Sequence, residues 1–90
     1  MSEVTDNAEE NRFELMVDGQ RAEAYYTLEG KIITFTHTDV PMVLSGRGVA
    51  SRLIKGALEQ ARSRGLKVRA TCSFVSAYLG KHREYGDLIA

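Results

Sequence analysis

Ninety residues with 43% hydrophobic content suffice for one domain with one modest core, and exclude two domains that each bury their own. No apolar run approaches the roughly eighteen residues of a membrane-spanning helix, the N-terminus is acidic rather than basic and then apolar, and a single cysteine, Cys72, excludes an internal disulfide. These features predict a cytoplasmic chain without membrane contact. The formal net charge of zero is an average over an uneven chain.

Residues 1–11 hold Glu3, Asp6, Glu9 and Glu10 without a base and with little apolar content to offset the entropy of ordering, so they are predicted to be a disordered acidic tail. The folded domain is expected over 12–90, where eight acids face twelve bases. Phe13-Glu14-Leu15-Met16-Val17 alternates like a strand, and Asp18-Gly19 reads as a tight turn. Over 21–28, alternation places Ala22, Ala24, Tyr26 and Leu28 on one face, before Glu29-Gly30 turns the chain into a β-branched run over 31–38. Pro41 breaks the pattern after Val40.

From Val49 the period changes. Val49, Ala50, Leu53, Ile54, Ala57, Leu58 and Ala61 follow the spacing of an amphipathic helix, ending near Arg62-Ser63-Arg64-Gly65. A short strand over 66–72 and a weaker helix over 73–82, ending near Glu84-Tyr85-Gly86, complete the chain. The fold class is α+β: an antiparallel meander, then helix, strand and helix. The helical crossover requires the last strand to run parallel to the third.

The chemistry is expected at the turn Ser45-Gly46-Arg47-Gly48-Val49-Ala50, between strand and long helix. The first helical N–H groups lack internal partners there, so residues 46–50 are placed to converge on a phosphate, with Arg47, Ser51 or Arg52 as side-chain donors. A loop whose glycines serve only the sharp turn is the alternative. No Gly-Lys-Ser/Thr ending follows Gly46, which excludes a nucleotide-triphosphate loop. Arg69, Ala70, Thr71 and Cys72 stand where a dinucleotide fold needs an acid.

His37-Thr38-Asp39-Val40, the stretch from Gly46 to Leu53, Cys72-Ser73-Phe74-Val75, Tyr78, Lys81-His82 and Glu84-Tyr85 resemble the short domains related to GNAT acetyltransferases. The resemblance runs from Phe13 to Leu88. It implies a minimal GNAT-like fold that binds acetyl-CoA, with the pyrophosphate in the glycine turn, matched at Gly48 and Ala50, and the pantetheine arm along Thr38, Asp39 and Val40. Ser45 stands where that family places Gln or Arg. The implied cofactor set is Thr38, Asp39, Val40, Ser45, Gly46, Arg47, Gly48, Val49, Ala50, Ser51, Tyr78 and Lys81.

Acetyl transfer needs a free amine, a polarised carbonyl and a proton for the departing thiolate. The resemblance offers Cys72 as nucleophile and Tyr78 as proton donor to the thiolate; for each, plain core packing is the competing reading. His37 is a candidate base, but alternation sets it with Ile33 and Phe35, which predicts a packed histidine. His82 and Glu84 read as solvated surface. Two histidines and one cysteine without ligand spacing predict no metal site. Two functions follow: transfer to an unknown amine acceptor, directly or through Cys72, and a CoA-binding module without turnover. A third reading makes Arg47, Arg52, Lys55, Arg62, Arg64, Lys67 and Arg69 a nucleic-acid surface; the lack of interleaved aromatics argues against it.

Overall fold

The computed structural model describes residues 3–90. Five strands, β1 (Thr5–Asn7), β2 (Arg12–Val17), β3 (Gln20–Glu29), β4 (Ile32–Asp39) and β5 (Lys67–Ala70), form one sheet in chain order. Helix α1 (Val49–Ser63) joins β4 to β5, and α2 (Ser73–Lys81) follows β5. Short 3₁₀ helices cover Ala8–Glu10, Met42–Leu44 and Arg83–Leu88. The predicted meander is present, with β2–β3 and β3–β4 antiparallel, and β5 returns parallel to β4 through α1.

The β2–β3 hairpin turns on Asp18 and Gly19, both at positive φ (49° and 76°), the backbone twist that a two-residue connection between right-twisted strands requires. One face of the sheet carries Phe13, Leu15, Ala22, Ala24, Tyr26, Ile33 and Phe35, all buried. Val49, Leu53, Ile54, Ala57, Leu58 and Ala61 cover it from α1. Buried alanines on both layers, Ala22 and Ala24 in the sheet and Ala57 and Ala61 in the helix, take little volume in a core otherwise filled by Leu, Ile and Phe side chains. Leu28, assigned by alternation to the buried face, is 42% exposed at the end of its hairpin.

Two expectations are corrected. The acidic leader is ordered where it is described, from Glu3 onward: Thr5–Asn7 pairs antiparallel with β2, and Val4 is 3% exposed in the core. Polar tethers supply what apolar content does not, since Tyr26 donates to Asp6 (2.6 Å), Gln60 to the Val4 carbonyl (2.6 Å) and Arg64 to Asp6 (2.9 Å), while Arg52 pairs with Glu3. Met1 and Ser2 lie outside the described residues.

The second correction concerns β4. Tyr25 opposes His37 but Tyr26 opposes Phe35, so Thr36 is an extra residue, a β-bulge. One inserted residue reverses every later side chain. His37 therefore leaves the face of Ile33 and Phe35, is exposed, and packs against Tyr25 with the rings tilted and their centroids 5.9 Å apart. Thr38 takes the inward position opposite Ala24.

Candidate functional site

After Pro41 the chain makes the 3₁₀ turn Met42–Leu44, whose Leu44 is buried as an anchor while Met42 and Val43 face outward. Ser45 N–H closes on the Met42 carbonyl (2.9 Å) and Arg47 N–H on that of Leu44 (3.3 Å). Gly46 and Gly48 then adopt φ of 80° and 69°, a region where a side chain costs strain. Gly48 caps α1 without any side-chain bond, and the first intrahelical bond joins Arg52 N–H to its carbonyl at 3.1 Å. The N–H groups of Val49, Ala50 and Ser51 precede that bond, so none has an acceptor within the helix. They border a groove of ≈ 250 Å³, also lined by Val40, Leu44, Ser45, Gly46, Gly48 and Phe74. A Cβ at Gly46 or Gly48 would meet nothing within 4 Å, so the space over the turn is open.

Beside this groove, pairing between β4 and β5 stops at Phe35 and Ala70. Thr71 and Cys72 N–H groups both donate to the Phe35 carbonyl (2.9 and 3.1 Å), which ends the ladder and aims the chain into α2. The inward-facing Thr38 hydroxyl then meets the Cys72 thiol at 3.3 Å. Cys72 is half-buried and caps α2. Burial pushes its thiol up, but hydrogen bonds from the Thr38 hydroxyl and from the N–H groups of Val75, Phe74 and Thr38 outweigh that and hold it below the usual thiol value.

A second groove, ≈ 310 Å³, is lined by Ser51, Phe74, Ala77, Tyr78, Lys81 and His82. It meets the first at Ser51 and Phe74. Tyr78 is buried and stacked on His82 at 3.9 Å, and burial first, then the charges of Glu84 and Glu59, push its phenol up. Tyr78 lies six residues beyond Cys72, roughly 9 Å along the helix axis, and lines the second groove but not the first. A larger groove of ≈ 690 Å³, past the other side of α2, is lined by Thr34, Arg69, Ala70 and Leu79 among others and contains no residue of the glycine turn.

The structure thus gathers Val40, Ser45, Gly46, Gly48, Val49, Ala50 and Ser51 around one groove, sets Thr38 on Cys72, and puts Tyr78 and Lys81 around the adjoining one. Three residues stand apart. Asp39 is exposed opposite Glu23, and His37 lies on the far side of the sheet from Thr38 and Cys72. The Arg47 guanidinium turns away to Asp18 (2.7 Å). Phe74, which borders both grooves, entered the sequence reading only within the Cys72-Ser73-Phe74-Val75 stretch of the resemblance and was given no role of its own.

The basic stretch is largely neutralised. Arg47, Arg52, Arg62 and Arg64 pair with Asp18, Glu3, Asp87 and Asp6 respectively, so these four cations do not form a free surface for a polyanion. Among the described residues, no helix is long and apolar enough to cross a membrane.

A family model described as GCN5-related N-acetyl-transferase matches residues 12–88. The chain belongs to the GCN5-related N-acetyltransferase family. It is 33% identical over 79 residues to Protein NATD1 of Mus musculus, covering 84% of this chain and 72% of that protein. The Gallus gallus protein of the same name is 32% identical over 80 residues, covering 86% and 73%. The NMR solution structure of a GCN5-like protein from Staphylococcus aureus superposes with a TM-score of 0.75 at 33% identity, over 100% of this chain and 91% of that one. The small α+β architecture is therefore that of a GCN5-like acetyltransferase.

Proposed function

We propose that this member of the family binds acetyl-CoA in the groove of the glycine turn and passes the acetyl group to an amine by way of Cys72. The observation that carries the reading is the turn itself: two left-handed glycines open a groove onto the free N–H groups at the start of α1, one strand end away from a cysteine whose thiol is held low. Those N–H groups and the positive end of the helix dipole suit a pyrophosphate, and Val40 and Thr38 line the way from it to Cys72.

Acetyl-CoA supplies an activated acyl thioester. The Cys72 thiolate attacks its carbonyl carbon, the bond to the CoA sulfur breaks, and the departing thiolate takes up a proton from solvent, leaving acetyl-Cys72 and CoA. A neutral amine then attacks acetyl-Cys72, loses a proton to solvent, and returns Cys72 as thiolate. The Thr38 hydroxyl stabilises that thiolate at both stages through its contact with Sγ. A free thiol used in this way suits a reducing compartment.

The reading is tested by calorimetric titration with acetyl-CoA and CoA, followed by intact-mass analysis of the acetyl-CoA sample with and without Cys72→Ala. Binding with an acetyl adduct that disappears in Cys72→Ala supports it. Binding without an adduct, and without CoA release in the presence of amines, leaves a CoA-binding module; no binding to either ligand overturns the site.

A further inference from the structure

Strand β5 is the last of the sheet, so one of its edges has no full strand beside it. Lys67 and Thr71 donate their N–H groups to the Lys31 and Phe35 carbonyls on the β4 side (2.7 and 2.9 Å), and alternation therefore turns the backbone groups of Val68 and Ala70 out of the sheet. Two residues near the end of the sequence use that edge: Ile89 forms a single parallel bridge with Val68, and Ala90 N–H donates to the Val68 carbonyl (2.9 Å). The hold is slight, and Ile89, a large apolar side chain, is 51% exposed there.

Along the same edge runs the groove of ≈ 690 Å³, with Arg69, Ala70 and Thr71 on its strand side and Ser76, Leu79 and Gly80 on α2. Gly80 stands in the last turn of that helix without the positive φ that would call for glycine, and a Cβ there would meet nothing within 4 Å. Glycine weakens a helix, and no contact within the chain requires this one; its missing side chain leaves the groove open to a second backbone. The side chains of β5 divide by face: Val68 and Ala70 turn toward the core, and Lys67 and Arg69 lie exposed on the other side. Lys67 Nζ reaches the Asp87 carbonyl (2.7 Å), and among the described residues neither cation has a carboxylate partner.

We infer that an extended peptide in which acidic and apolar residues alternate adds to this edge of β5, displacing Ile89 and Ala90. Its backbone takes the outward groups of Val68 and Ala70, its apolar row lies against Ala70 and Leu79, and its acidic row meets Lys67 and Arg69. A second copy of β5 is a poorer occupant, because pairing the strand with itself sets the two cations against their equivalents. The groove contains neither Cys72 nor a residue of the glycine turn, so this surface is independent of the acetyl transfer above.

The test is an amide NMR titration of the full chain with two synthetic six-residue peptides, one alternating glutamate with valine and the other lysine with valine. The glutamate peptide should shift the amides of Val68, Ala70 and Gly80 and leave those of Gly46 and Gly48 in place. It should bind about tenfold tighter than the lysine peptide, the span between opposite and like charges across a strand pair, and Arg69→Glu should remove that preference. Ala90→Pro deletes the N–H that competes for the Val68 carbonyl, so it should tighten the glutamate peptide about threefold, the scale of one backbone hydrogen bond. Gly80→Leu, with its spectrum otherwise intact, should abolish binding. Failure of the glutamate peptide to shift Ala70, an unchanged preference in Arg69→Glu, or unchanged affinity in Gly80→Leu overturns the inference. Shifts of the same amides on raising the protein concentration alone would assign the edge to a second copy and overturn it as well.

Discussion

Thr38 lies in β4 beyond its pairing with β5, Cys72 caps α2 two residues past the end of β5, and their Oγ1 and Sγ atoms are 3.3 Å apart. The contact depends on the Thr36 bulge, which rotates Thr38 inward, and on the turn at Thr71 and Cys72, which ends β5 and opens α2. Burial alone would keep the thiol protonated. The hydroxyl and the α2 N–H groups act against that and hold the thiol below its usual value.

The expected consequence is measurable without a substrate. The rate of Cys72 alkylation by iodoacetamide should rise with pH to a midpoint below that of an unperturbed thiol, and Thr38→Val should shift the midpoint upward while leaving the plateau rate similar. Alkylation profiles followed by mass, at constant ionic strength, check this. An unchanged midpoint in Thr38→Val would remove Thr38 from the account of the thiol.

The glycine turn separates strain from ligand chemistry. Gly48 has φ of 69° and open space around it, so Gly48→Ala should fold and lose about 1–2 kcal/mol through backbone strain alone. In a chain of this size that is roughly 5–15 °C in Tm. Gly48→Asp should lose less, because Asp tolerates the left-handed region better than Ala, yet its carboxylate would face the anion site and abolish acetyl-CoA binding. Thermal melts paired with titration read the two effects separately. Tight binding by a folded Gly48→Asp would sink the pyrophosphate assignment.

How much of this was legible beforehand follows from the range of each signal. Helix α1 was readable because six buried residues repeat at helical spacing, and the parallel β4–β5 pair followed from having a helix between two strands. The glycine turn was readable because two glycines precede that helix. His37 was misplaced because the Thr36 bulge leaves no mark in the residue types: Ile33, Phe35 and His37 alternate without interruption, and only the partner strand forces the extra residue. The leader was misread because its order comes from contacts 49 to 58 residues away, Arg52 to Glu3, Gln60 to Val4 and Arg64 to Asp6. Arg47 looked like a phosphate ligand for the same reason; its partner Asp18 is across the fold.

On the open face of the sheet, Arg12 lies between Glu14 (2.6 Å) and Glu23 (3.3 Å). The hydrogen bonds from Arg12 and Asn7 hold the Glu14 carboxyl below its usual value. A depressed carboxyl contributes stability above its unfolded pKa of about 4.3 and loses it as pH falls through the lower folded value. Arg12→Gln should therefore be less stable than wild type at pH 7, with the gap closing below pH of about 4. Urea unfolding at a series of pH values checks the closing; a gap independent of pH would mean that Arg12 acts through packing alone.

Tyr26 joins the leader to the core. Its ring packs on Phe13 (5.3 Å between centroids) and its hydroxyl donates to Asp6, which in turn receives Arg64. Burial first, and then the bond to Asp6, push the phenol up to about 12. A raised phenol favours the folded state in its neutral form, so its contribution is complete below the unfolded pKa of about 10 and disappears as pH rises through the folded value. Tyr26→Phe keeps the ring and removes the donor. The loss at pH 7 should be about 1–3 kcal/mol, the range for a hydrogen bond to a charged group, and should shrink as the wild type itself weakens at alkaline pH. Amide exchange locates the effect: with the donor gone, residues 5–7 should lose protection while β3 and β4 keep theirs. Uniform loss of protection across the sheet would instead show that β1 and the central strands open as one unit, and that Asp6 and Tyr26 support the whole core rather than its edge.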